Sequence, residues 1–177
     1  GLDKGDIADI ITFAESNSVL GRLSPGTASE PIKVNLMDVY SAHLRKKILD
    51  ALDSGETPLL GLSITVDAGN GAGGFYAEKV LAPLGADVSS SQFLEPDGSF
   101  PNHIPNPEDK SAIESICAKV REAKTDLGLI FDTDVDRVSA VDESAKEINR
   151  NAIVALAAAL IADSHPGSTV VTDSVTS

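Results

Sequence analysis

The sequence predicts an α/β protein: a three-layer α/β/α domain with a mostly parallel mixed sheet, flanked by pieces of neighbouring domains. Two observations carry the fold class. From residue 37 onward, short apolar runs bounded by turn residues alternate with longer segments of helical apolar spacing, the order that βαβ units impose. The run Leu127-Gly128-Leu129-Ile130-Phe131 has no polar side chain, as a strand covered on both faces requires. A third observation concerns the ends. The first ~35 residues and the terminal stretch around Thr169-Val170-Val171-Thr172 read as parts of something larger, because a compact domain seldom carries so long a lead-in.

Taken in order, Ile7, Ile10, Ile11 and Ala14 recur at helical spacing between Asp6 and Ser16. Residues 18–35 hold Pro25, Gly26 and Pro31 and read as a connection. Met37 to Leu52 is a predicted helix with Val39, Tyr40, His43, Leu44, Ile48 and Leu52 on its inner face. Gly55 and Pro58 end it. Leu62 to Asp67 is a strand, Gly69-Asn70-Gly71 a turn, Ala72 to Leu84 a helix stopped by Gly85, and Ala86 to Phe93 a second strand. Glu95 to Pro107 is a polar loop rich in Pro and Asn, in which His103 reads as a surface residue. Glu108 to Lys124 is a helix with Ile113, Ile116, Cys117 and Val120 inside. After Leu127–Phe131 come an acidic loop, a strand over Val138–Val141, a helix over Asn151–Asp163 and a strand over Thr169–Thr172. The division expected is 1–36 as the tail of a first domain and a connection, 37–146 as a second α/β domain that carries the acidic loop, and 147–177 as the start of a third.

Composition narrows the function. The 177 residues carry a formal charge of −13, which argues against nucleic acid, whose phosphates attract basic faces. With no Trp, 2 Tyr and 5 Phe, stacking platforms for bases are not expected either. No apolar run reaches the ~20 residues of a membrane-spanning helix, so no membrane partner is expected. The first residues lack the basic-then-apolar layout of a signal peptide, and Cys117 stands alone. Together they point to a reducing compartment, the cytoplasm or one such as a plastid. An acidic protein that handles phosphates must do so locally, through a metal, backbone N–H groups or a few basic side chains.

The candidate site is Asp132-Thr133-Asp134-Val135-Asp136-Arg137. Carboxylates at i, i+2 and i+4 directly behind a buried strand gather around one point. Like charges so close repel unless a cation lies between them. Oxygen-only ligands suit Mg²⁺, Mn²⁺ or Ca²⁺ rather than zinc. Arg137 adds a planar fork suited to phosphate oxygens. An EF-hand would also place Asp132, Asp134, Asp136 and Glu143 at its positions 1, 3, 5 and 12, but its sixth position is Gly, and here it is Arg137 between two strands. Asp132-Thr133-Asp134-Val135 also fits the nucleophile motif of haloacid-dehalogenase-type phosphotransferases. That family needs a Lys and an acidic pair well downstream, and only about 40 residues remain.

Leu129-Ile130-Phe131-Asp132-Thr133-Asp134-Val135-Asp136-Arg137-Val138 resembles the metal loop of the α-D-phosphohexomutases, the phosphoglucomutase and phosphomannomutase family, which typically reads Asp-Gly-Asp-x-Asp-Arg after an apolar strand. Thr65 to Gly74 resembles the strand–turn–helix near the start of that family's second domain, and Phe100 to Glu108 the loop preceding the metal strand. Gly167-Ser168-Thr169-Val170-Val171 resembles the first strand of its third domain. The four segments occur in the family's order, over about residues 36 to 177. One departure is Thr133 where the family usually has Gly. If that position needs positive φ, a β-branched residue is strained there.

The resemblance implies an enzyme that moves a phosphoryl group between the 1- and 6-positions of a hexose phosphate through a phosphoserine. Asp132, Asp134 and Asp136 would be Mg²⁺ ligands and Arg137 a phosphate contact. The partners implied are the hexose phosphate substrate and the other domains of the same protein. The family's phosphoserine lies in a Thr-Ala-Ser-His-Asn-Pro-like loop of its first domain. Thr27-Ala28-Ser29-Glu30 lacks His-Asn and stands too late in the family order, so no catalytic residue is assigned in this chain. The chain alone is then expected to bind metal at most weakly and to be inactive. Two other readings are a metal-dependent phosphatase of the haloacid-dehalogenase type and a non-catalytic Mg²⁺- or Ca²⁺-binding module. Gly69-x-Gly71-x-x-Gly74 matches a dinucleotide fingerprint, with Glu95 as the acidic residue it would call for, but reads better as a turn whose small residues permit close packing.

Overall fold

The computed structural model describes residues 2–16 and 30–172. The connection around Pro25 and Gly26 and the tripeptide Thr27-Ala28-Ser29 lie outside the described residues. The chain divides into two units, Gly1–Asn35 and Leu36–Ser177.

In the first unit, helix α1 spans Lys4–Ser16. Its start is a reciprocal capping arrangement. Asp3 Oδ1 accepts from the backbone N–H groups of Gly5 (2.7 Å) and Asp6 (2.9 Å), and Asp6 Oδ2 accepts from Asp3 N–H (3.0 Å). Ile7, Ile10, Ile11 and Phe13 are all exposed.

The second unit contains the α/β/α domain. Its elements are α2 (Leu36–Leu52), β1 (Ile64–Asp67), α3 (Lys110–Ala123), β2 (Leu127–Phe131), β3 (Val138–Asp142) and α4 (Arg150–Ala162). A helical segment over residues 72–84 links β1 to an edge segment over residues 86–93. The sheet order is β1-β2-β3, with β1 and β2 parallel and β3 antiparallel to β2. The pleat sends alternate side chains to opposite faces, and each face has its own apolar cluster. Ile64, Val66 and Phe131 pack with Ala77, Leu81 and Ala86. Ile130 and Val141 pack with Ala112, Ile116 and Val120 of α3, on the other side of the sheet.

The 86–93 segment is less regular than the predicted strand. In place of a continuous ladder it makes two isolated parallel bridges, Gln92 with Asp67 of β1 and Asp87 with Ser63 just before it. Between them the chain turns at Val88–Ser91, and the Ser91 hydroxyl replaces a backbone carbonyl in accepting from Val66 N–H (3.0 Å). The predicted 72–84 helix is a 3₁₀ turn (Ala72–Gly74), a π-helical turn (Tyr76–Leu81) and a second 3₁₀ turn (Ala82–Leu84). In α-helical register the Lys79 carbonyl would pair with the N–H of residue 83, and Pro83 has none. Arg45 of α2 donates to that carbonyl instead.

The face that α2 buries differs from the predicted one. Ser41 is buried and Leu44, Arg45, Ile48 and Leu49 are half-buried, while Val39, Tyr40 and Leu52 are exposed. The predicted strand at Thr169–Thr172 does not form. A strand needs a neighbour for its backbone groups, and none of the described residues pairs with it. Val170 and Val171 are exposed.

Candidate metal centre

The site begins at the end of β2. Asp132 follows the fully buried Ile130 and the nearly buried Phe131, and is itself inaccessible to solvent, whereas Asp134 and Asp136 are exposed. Each of the three offers one carboxylate oxygen, and these oxygens all lie within 4.8 Å of one another. Asp132 closes the loop on itself. Its N–H donates to the Arg137 carbonyl (3.2 Å) and its Oδ1 accepts from Arg137 N–H (3.1 Å). Its Oδ2 takes the Arg137 guanidinium through Nε and Nη2, both at 2.9 Å. Arg137 Nε also reaches Asp136 Oδ1 (3.4 Å), and Nη1 donates to Asn106 Oδ1 (3.2 Å).

These contacts set the protonation of the carboxylates. Burial pushes Asp132 up, but the Arg137 backbone N–H, Asp136 and the guanidinium outweigh it and hold Asp132 below the usual carboxylate range. Asp136 is pushed above that range, first by its contact with Asp132 and then by the charge of Asp134. The charge repulsion from Asp134 and Asp132 that adds to this rise is what a divalent cation would remove. All the donors are carboxylate oxygens, with neither sulfur nor imidazole, so the residues fit a hard cation such as Mg²⁺.

Thr133 does not take the positive φ that would have strained it; in this loop that conformation falls on Val135, whose φ is 68°. The Val135 side chain packs against the apolar cluster around Phe131. Thr133 has another task. Its carbonyl accepts from Ala72 N–H (2.8 Å) at the start of the 72–84 segment. This explains the glycines that imitate a dinucleotide fingerprint. A Cβ on Gly71 would stand 2.9 Å from both Cα and O of Thr133, and one on Gly74 would stand 1.9 Å from the Leu94 carbonyl oxygen. Gly71 lets the turn touch the acidic loop, and Gly74 lets the helical segment touch the edge segment.

Sequence reasoning missed the support behind the site. His103, read as a surface residue, has a side chain only 4% exposed. Its Nε2 lies 3.0 Å from Asp67 Oδ1 and its Nδ1 2.9 Å from the Ile104 carbonyl. Asp67, at the end of β1, is also fully buried and accepts from Gln92 Nε2 (2.7 Å) and Gly69 N–H (2.9 Å). The available signal was an Asp at the end of a buried strand, a position that demands partners.

Known proteins resemble the chain over this same region. The family model for phosphoglucomutase/phosphomannomutase, alpha/beta/alpha domain II, matches residues 38–146. The chain belongs to the phosphoglucomutase/phosphomannomutase family. A phosphomannomutase/phosphoglucomutase of Pseudomonas syringae pv. tomato is 35% identical over 141 residues, covering 80% of this chain and 28% of that protein. A phosphomannomutase of Salmonella montevideo is 33% identical over 145 residues, covering 80% of this chain and 30% of the relative. Among solved structures, a phosphoglucomutase/phosphomannomutase family protein of Burkholderia thailandensis superposes with a TM-score of 0.59 at 28% identity, over 71% of this chain and 27% of that one. The chain thus spans between a quarter and a third of the length of these family members.

Proposed function

We propose that this chain is the metal-loop domain of a phosphohexomutase that moves a phosphoryl group between the 1- and 6-positions of a hexose phosphate through a phosphoserine. In this reading residues 37–146 are the second domain, residues 1–36 the tail of the first with a connection, and residues 147–177 the start of the third. The phosphoserine lies on another domain of the same protein. The observation that carries the reading is the convergence of Asp132, Asp134 and Asp136 on one point beside a guanidinium fixed by Asp132.

Asp132, Asp134 and Asp136 would hold Mg²⁺, which when bound supplies positive charge to offset the negative charge of a transferring phosphoryl group. The chain's own residues do the positioning. Asp132 is buried and cannot swing away, so it sets the origin of the loop. It also aligns the Arg137 guanidinium through Nε and Nη2, while Asn106 takes one N–H of Nη1. A guanidinium has five N–H groups, so Arg137 keeps two for the oxygens of a phosphate. Alone, the chain holds a cation site and a phosphate contact without an assigned nucleophile, and is expected to be inactive.

The test is product analysis on the parent protein with a hexose 1-phosphate and Mg²⁺. Formation of the hexose 6-phosphate without accumulating inorganic phosphate is the expected result. Stoichiometric release of inorganic phosphate with no isomerised sugar would replace the mutase with a metal-dependent phosphatase. Metal binding without any turnover would leave a non-catalytic cation-binding module.

A further inference from the structure

The loop over residues 95–107 does more than connect the edge segment to α3. Four interactions clamp its last residues. His103 Nδ1 meets the Ile104 carbonyl at 2.9 Å, with the other end of the ring on the buried Asp67. The Ser139 hydroxyl of β3, itself 1% exposed, donates to the Pro107 carbonyl at 3.2 Å. Asn106 N–H returns to the Ile104 carbonyl at 2.8 Å. The residue before a proline is confined to extended backbone, which restricts Asn106 further. Its side chain is set as well, because Oδ1 accepts from Glu108 N–H at 3.1 Å. That same Oδ1 takes the Arg137 Nη1 at 3.2 Å.

We propose that Asn106 is a positioning residue that aims the Arg137 guanidinium, with His103–Asp67 and Ser139 as the clamps that hold Asn106 in place. Arg137 is half exposed, and a long side chain on a surface loop ordinarily loses its direction to rotamer freedom. Asp132 grips its Nε/Nη2 edge, and Asn106 grips Nη1 from a different element. Two grips from two directions fix the plane of the guanidinium and choose which N–H groups remain for a ligand. A fork held in plane before the ligand arrives loses less freedom on binding than a mobile one. The value of this arrangement for phosphate rests on the function proposed above, whereas the orientation of Arg137 does not.

The test is therefore spectroscopic. ¹⁵N NMR of the arginine side chains in the 177-residue chain reads the rate of rotation about the Arg137 Nε–Cζ bond. Asn106→Ala removes one charge-assisted hydrogen bond, and the rotation is expected to speed up by about fivefold to tenfold. Asn106→Asp keeps an acceptor in place and is expected to restore a rate at or below that of the wild type. Ser139→Ala loosens one clamp and is expected to move the rate in the same direction as Asn106→Ala, by less. An Asn106→Ala rate equal to the wild type, or an Asn106→Asp rate equal to Asn106→Ala, would overturn the proposal. A Mg²⁺ titration of the same samples separates the two ideas. Loss of Asn106 control with intact Mg²⁺ binding in the wild type sinks this inference alone. Asn106 control without Mg²⁺ binding sinks the metal-site reading alone.

Discussion

Both nitrogens of the His103 ring face acceptors, the Asp67 carboxylate on one side and the Ile104 carbonyl on the other. Only the imidazolium can donate to both. Its contact with Asp67 raises the pKa, burial works against this, and the Ile104 carbonyl, the Asp67 charge and the more distant Asp109 add to the rise. Gln92 and Ser115, the other polar groups at Asp67, carry no charge. A folded-state pKa raised above the unfolded value of about 6.5 gives stability that is fully present below that value and lost as pH rises through the folded pKa. Urea midpoints of the wild type should therefore fall from neutral toward mildly alkaline pH, and those of His103→Gln should be flatter over the same window. Parallel slopes would show that the ring is not held charged. At Thr133, where the side chain is exposed and φ is not positive, a change to Gly relieves no strain. Thr133→Gly is expected to leave stability unchanged or to lower it by up to ~1 kcal/mol in thermal melts, by freeing the unfolded chain. Stabilisation would place the strain at Thr133 after all. Asp132, Asp134, Asp136 and Arg137 were legible because carboxylates on alternate residues directly behind a buried strand repel one another and so call for a cation. His103 and Asn106 were not, since a polar loop looks the same in sequence whether its side chains face solvent or a buried carboxylate.

At the scale of elements, the acidic loop is held by the turn after β1. Ala72 N–H holds the Thr133 carbonyl, and Gly71 permits the approach. Gly71→Ala would push Cβ against backbone that cannot yield as a flexible side chain would. It is expected to cost about 1–3 kcal/mol of stability, as overpacking does, and to weaken Mg²⁺ binding about tenfold by displacing Asp132 and Asp134. Denaturation curves and a Mg²⁺ titration check the two parts. Full metal affinity in a folded Gly71→Ala protein would detach the turn from the site. The elements built on strong periodicity or continuous apolar runs were readable. β2 occupies the predicted residues, and α3 buries Ile116 and Val120 as its spacing demanded. What could not be read was set by partners. Pro83 leaves the Lys79 carbonyl without its α-helical partner, and Arg45 of α2 donates to it. Asp87, Ser89 and Ser91 use side chains where a strand would use backbone. The stretch at Thr169–Thr172 has strand composition, but among the described residues no strand pairs with it.

At the largest scale, two apolar clusters on opposite faces of the one small sheet in the second unit enclose β2, and the acidic loop leaves from its end. That placement follows the general tendency of α/β sheets to put ligands beyond the carboxyl ends of their strands. Away from this core, Leu156, Leu160 and Ile161 of α4 are exposed, as are the apolar residues of α1. The three-layer class was readable from the alternation of segments, because each layer needs its own periodicity. A net charge of −13 makes general attraction of phosphates unfavourable, so the sugar-phosphate binding proposed above would rely on a local cation and on Arg137. Calorimetric titration with Mg²⁺ and with Ca²⁺, on the wild type and on Asp134→Asn, therefore addresses the central claim most directly. Saturable Mg²⁺ binding that weakens at least about tenfold in Asp134→Asn, with no strong preference for Ca²⁺, is the predicted result. A tight preference for Ca²⁺, or Mg²⁺ binding that survives Asp134→Asn unchanged, would contradict it.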